Sequence, residues 1–155
     1  MRLLKSLSLT RVGHVTVAWG VLFGVVHAYW AAGGAAGMNG DPADTLAVQS
    51  YIAFIAVLGL VGAAVAHGVV HGLGARVGRR TLILLARAGG AVLLVGVAVG
   101  TGGWLVDGSL NGDGAAGVVT TLYFLLGGLL LTSLGWRGDA PRFPQALQPA
   151  VRRPS

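Results

Sequence analysis

The chain has 155 residues, of which 54% are hydrophobic and 10% charged, and a net charge of +6. A soluble domain carries about 25% charged residues, so this chain lacks the polar groups to cover a water-facing surface. It has no Cys, which excludes disulfides, thiolate metal sites and thiol chemistry; it has no Glu either, and its acids are five Asp.

The lead over residues 1–11 is short and basic, with Arg2, Lys5 and Arg11. An apolar run over 12–32 follows, about 31 Å as a helix and sufficient for the ~30 Å hydrocarbon core. A basic lead also fits a secretory signal. The run is longer than a signal's apolar segment and contains Trp19, His27, Tyr29 and Trp30, so it reads as a retained span. Residues 33–46 form a loop with Gly33, Gly34, Gly37, Gly40 and Pro42, residue types that oppose helix. It carries Asp41 and Asp44 and no Lys or Arg.

A second span is expected over 47–70, then a basic turn with Arg76, Arg79 and Arg80. The third span covers 82–106. A glycine-rich loop with Asp113 precedes the fourth span, over 115–134. The remainder, 137–155, is a tail with Pro141, Pro144, Pro149 and Pro154 among Arg142, Arg152 and Arg153; repeated proline prevents helix, and the tail reads as disordered or polyproline-like. Runs of this length without alternating polarity choose helices over strands, because unpaired backbone groups in lipid cost several kcal/mol each. The expected fold is an all-α integral membrane bundle of four transmembrane helices.

The basic residues set an orientation. All eleven Lys and Arg lie in or near the lead, the middle turn and the tail, whereas the other two loops hold four of the five Asp. Cytoplasmic segments carry the basic excess, which predicts an N-in/C-in bundle. Tyr29, Trp30, Tyr51 and Trp104 then mark the outer interface and Trp136 the inner one. The same distribution explains the positive charge through topology, and no nucleic-acid role is expected.

At 100° per residue, Thr16, Trp19, Gly20, Phe23, His27 and Trp30 share one face of the first span. Gly20 and Gly24 form a small-xxx-small pair that lets helices approach closely. An ionisable residue within a span is a candidate for ligand contact or proton handling. His27 is that candidate, with a neutral His bonded to Thr or Tyr of another helix as the structural alternative. Trp30, Tyr51, Trp104 and Tyr123 complete the polar cluster at its depth. His67 and His71, four apart, with His14 as a third, make a weak metal or haem candidate, short of the four ligands of a structural zinc site; no cofactor is predicted. Arg87 reads as the inner boundary of the third span, since residues 88–106 are long enough to cross without it; a buried role would need a counter-ion, and no acid lies inside any span. Gly89, Gly96, Gly100 and Gly103 line one face of the third helix as a packing surface, within or between chains.

The segment Trp19–Gly34, WGVLFGVVHAYWAAGG, resembles the small bacterial membrane proteins of domain of unknown function family 3995. Their first helix ends in a His-x-x-Trp-x-x-Gly-Gly-like segment, matched here by His27, Trp30, Gly33 and Gly34. The resemblance implies four spans and a bacterial inner membrane, and no activity. Other four-helix families fail on chemistry: small multidrug exporters need a membrane carboxylate, quinone-linked disulfide oxidases need Cys pairs, and dual-topology fluoride channels need a weak charge bias. The expectation is a non-enzymatic protein that binds a small ligand or lipid, or an accessory subunit, whose partners are the lipid bilayer and a second copy or a membrane complex. The alternatives are a haem- or metal-dependent redox protein and a small transporter using His27.

Overall fold

The computed structural model describes residues 8–37, 45–72, 78–107 and 115–139, with the side chains of 104–107 and 115–116 outside that description. Four helices make up nearly all of it: α1 (Leu9–Ala31), α2 (Leu46–His71), α3 (Arg79–Asp107) and α4 (Ala115–Gly138). Among the described residues there is no strand. The helices have 23, 26, 29 and 24 residues, about 35–44 Å at 1.5 Å per residue, and each is apolar enough to cross a membrane. The lead up to residue 7, Arg76, Asp41, Asp44, Asp113 and the tail from residue 140 lie outside the described residues.

Local chemistry sets the helix ends. The Ser8 hydroxyl accepts from the Arg11 N–H and the Thr45 hydroxyl from the Val48 N–H, at 3.3 and 3.4 Å. Each satisfies one of the amides left over in a first turn. The helix α1 ends in a Schellman motif: the Gly34 N–H reaches the Tyr29 carbonyl and the Gly33 N–H the Trp30 carbonyl, both at 3.0 Å. That motif needs a left-handed residue after the helix, and Gly33, at φ +90°, supplies it.

The helices α1 and α2 pack face to face through small residues. A methyl group at Gly20 would come within 2.8 Å of the Gly59 carbonyl oxygen, and one at Gly24 within 3.1 Å of the Ala56 carbonyl. The backbones therefore touch, as the Gly20–Gly24 spacing predicts. Lipid tails are as apolar as Leu, so this close packing, rather than burial from water, holds the hairpin together. The second hairpin repeats the device with Gly90 against Gly128 and Thr132, and Gly135 against Arg87 and Ile83. The helix α1 also packs on α4 and α2 on α3, while the backbones of α1 and α3 lie apart across the diagonal among the described residues.

The core occupies the half of the bundle nearer the basic turn. Val12, Ala66, Val69 and Leu134 form one cluster, and Trp19, Phe23, Val65, Ala86 and Leu131 the next. Thr16 is fully buried between helices, with its hydroxyl returned to the Val12 carbonyl at 2.7 Å. Between residues 91 and 103 of α3 no residue is buried, so the other half of the bundle is more open.

One expectation changes and two are filled in. The fourth helix runs past residue 134 to Gly138, because Gly135 and Gly138 lie against α3 and the Arg79 guanidinium donates to the Gly138 carbonyl at 2.6 Å. Arg87 takes its counter-ion from beyond the spans: its Nη2 donates to Asp139 Oδ2 at 2.8 Å, and its guanidinium lies 4.7 Å from the Trp136 ring centroid. The acid comes from the end of α4, outside any span. The glycine face expected on α3 is largely unpacked within the chain. Gly89 meets only Leu131, Gly96 and Gly103 meet nothing within 4 Å, and the packed glycine is Gly90, about 100° around the helix from Gly89.

Candidate functional site: a groove between α1 and α4

A cavity of about 310 Å³ lies between α1 and α4 in the more open half of the bundle. The first helix lines it with Leu22, Phe23, Val26, His27 and Trp30, a spacing that keeps all five on one face. The fourth contributes Val119, Thr120, Tyr123 and Phe124. Leu22 and Val119 are 56% and 64% exposed, so the walls run out to the lipid-facing surface.

The roof is the turn after α1. The Trp30 indole N–H donates to the Ala36 carbonyl at 2.8 Å, and the Ala36 N–H donates to the Tyr29 hydroxyl at 3.4 Å. These bonds fold the chain back so that Gly37, at φ +80°, reaches the groove beside Trp30. Gly34 lies against the Tyr29 ring, where a Cβ would collide with it. The Trp-x-x-Gly-Gly pattern is thus a structural unit: the aromatic pair holds the turn, and the glycines allow it.

The floor is a pair of reciprocal hydrogen bonds. The Trp19 indole N–H donates to the Tyr123 carbonyl at 3.2 Å, and the Tyr123 hydroxyl donates to the Trp19 carbonyl at 3.0 Å. Their rings stack at 5.4 Å. Gly127 makes room, since a Cβ there would run into the Trp19 indole.

His27 is half-buried in the wall. Its ring stacks on Phe23 at 4.0 Å and meets Trp30 edge-on at 4.9 Å. Nδ1 lies 2.9 Å from the Phe23 carbonyl oxygen. A carbonyl only accepts, so Nδ1 carries the proton and Nε2 of the neutral ring is an acceptor. Among the described residues Nε2 meets no hydrogen-bond partner. The hydrogen bond of His27 is therefore to its own helix, not to Thr or Tyr of another, and the Tyr123 hydroxyl is committed to Trp19.

The groove brings together His27, Trp30 and Tyr123 of the expected cluster. Tyr51 is 65% exposed on α2 and does not line it, and the Trp104 side chain lies outside the described residues. Val26, Val119 and Phe124 were not singled out in the sequence; the repeat of Val119, Thr120, Tyr123 and Phe124 along one face of α4 was the available signal. At the other end of the bundle, His67 and His71 have ring centroids 4.3 Å apart and His14 lies 5.8 Å from His71. All three are exposed. Among the described residues no group of three or more His or Asp is arranged to hold a metal ion.

No family model, curated protein or solved structure matches the chain. The resemblance in the Trp19–Gly34 segment rests on those residues alone.

Proposed function

We propose that this chain is a multi-pass protein of a bacterial inner membrane that holds a small apolar ligand or lipid in the α1–α4 groove without chemically changing it. The carrying observation is the groove itself: about 310 Å³, mostly apolar walls and an imidazole nitrogen that meets no partner among the described residues. Small-molecule sites are of this kind, concave and apolar with a few placed polar groups, and span roughly 300–1,000 Å³. Neither a carboxylate nor a thiol is among the described residues that line it. Solvent extraction of the purified protein should release one small molecule in stoichiometric amount, and release of bulk phospholipid only would count against the reading.

The basic distribution supports an orientation with both termini and the 71–80 turn in the cytoplasm. Periplasm-active reporters fused after Met38 and Gly112 should be active and one fused after Arg79 inactive; the opposite pattern reverses the bundle.

A second reading, an accessory subunit, is favoured by α3. Val92, Val95 and Val99 are 61–70% exposed beside an open Gly96, a surface on which another helix can approach closely. Cross-linking from Val95 in intact membranes distinguishes a protein neighbour from lipid.

A further inference from the structure

We infer that the groove selects a ring-bearing molecule with a hydrogen-bond donor and an apolar tail, the chemistry of an alkylphenol or a quinol. This rests on the reading of the groove as a ligand site and names what that site recognises.

Three observations lead there. The first is the direction of the hydrogen bond that His27 offers. Because the Phe23 carbonyl fixes the proton on His27 Nδ1, Nε2 offers a lone pair, and only a donor on the ligand can use it. No carboxylate is among the described lining residues, so an imidazolium would have no counter-ion in the groove. The second is the lining. Phe23 and Trp30 contact the imidazole, and Tyr123 and Phe124 line the same groove; aromatic rings favour another ring in offset or edge-on contact. The Tyr123 hydroxyl and the Trp30 indole N–H are already bound, to the Trp19 and Ala36 carbonyls, which leaves neither free to donate to a ligand carbonyl or ether, and the other lining hydroxyl, Thr120, accepts as well as donates. The third is the opening. Leu22 and Val119 flank it and are themselves exposed, so a tail leaving the groove passes between apolar walls into the acyl chains. The ring and hydroxyl sit inside beside His27, and the tail lies in lipid.

The test uses a matched pair, para-nonylphenol and its methyl ether, which share the ring and tail and differ by the donor. Binding to the full chain in lipid nanodiscs is followed by displacement titration, and the imidazole ¹⁵N resonances are recorded on the same samples. A donated hydrogen bond corresponds to about a tenfold preference for the phenol. That preference should fall below about twofold in His27→Phe, which keeps an aromatic ring on Phe23 and removes the acceptor. In the wild-type protein, the phenol and not the ether should shift Nε2 of His27 towards the hydrogen-bonded value, a readout independent of the variant's folding. Equal binding of the two probes, with no Nε2 shift, overturns the donor requirement and leaves the groove as an apolar site. Binding of neither probe overturns the alkylphenol class together with the groove reading.

Discussion

Trp19 and Tyr123 exchange side chains across the bundle: each donates to the other's backbone carbonyl, at 3.2 and 3.0 Å, while their rings stack. This pairing ties α1 to α4 below the groove and leaves both side-chain donors satisfied. Buried indole and phenol groups ordinarily find such partners. Here the partners are carbonyls of the neighbouring helix, so helix contact and polar satisfaction are one event. Tyr123→Phe should therefore cost about 1 kcal/mol. A double-mutant cycle with Trp19→Phe should show coupling, read from unfolding in mixed micelles. Purely additive effects would mean that the two bonds do not act together.

The glycines divide sharply by what surrounds them. Gly20 faces the Gly59 carbonyl, and backbone cannot step aside cheaply, so Gly20→Ala should cost about 1–3 kcal/mol by overpacking. A Cβ at Gly62 would meet no other helix or side chain within 4 Å. Gly62→Ala should be neutral or stabilising by up to about 1 kcal/mol, the difference in helix propensity. The same micelle unfolding measurement ranks the two variants, and an equal effect would contradict the packing described for α1 and α2.

The turn above the groove depends on a left-handed residue. Gly33→Ala places a Cβ at φ +90°, at a cost of about 1–2 kcal/mol. Its consequence is local: amide exchange at Gly34 and Ala36 should accelerate while the α2 amides keep their protection. Trp30→Phe, which removes the bond to the Ala36 carbonyl, should produce the same pattern.

At the other end, Arg87 pairs with Asp139, with side-chain exposures of 30% and 60%. A pair this exposed contributes at most about 1 kcal/mol, so Asp139→Asn should be mild. Arg87→Ala should cost more, because the arginine stem also lies against Gly135 and its guanidinium on Trp136. A larger loss for the Asn variant than for the Ala variant would make the ion pair, rather than the packing, the stabilising element.

The four helices were legible in the sequence because each is a long apolar run bounded by glycine, Asp or Arg. The packed stripe of α1 was legible too: Thr16, Trp19, Gly20 and Phe23 recur at helical spacing and all prove buried. The contact partners were not. Periodicity gives the direction of a side chain from its own axis and says nothing of which helix stands opposite, so the hydrogen bonds between Trp19 and Tyr123, 104 residues apart, had no sequence signal. The glycines of α3 show the same limit, since Gly89 and Gly90 are adjacent in sequence but only Gly90 meets the backbone of α4. The end of α4 reads as the start of the tail until Arg79, from the start of α3, is seen to cap it. The cluster around His27 was legible in part: Trp30 lies near it on its own helix, whereas Tyr123 reaches the groove through tertiary packing and Tyr51 turns away from it.

The groove is the central claim, and filling it is the most direct test. Val26 lines the α1 wall and is half-buried, so Val26→Trp occupies the space without disturbing the Trp19–Tyr123 pair or the turn above. Native mass spectrometry of the wild-type chain released from mild detergent should show a retained small molecule, and the Val26→Trp chain, extracted in the same way and equally helical, should fly bare. A wild-type chain without any adduct, or an adduct that persists unchanged in the filled variant, would contradict the account.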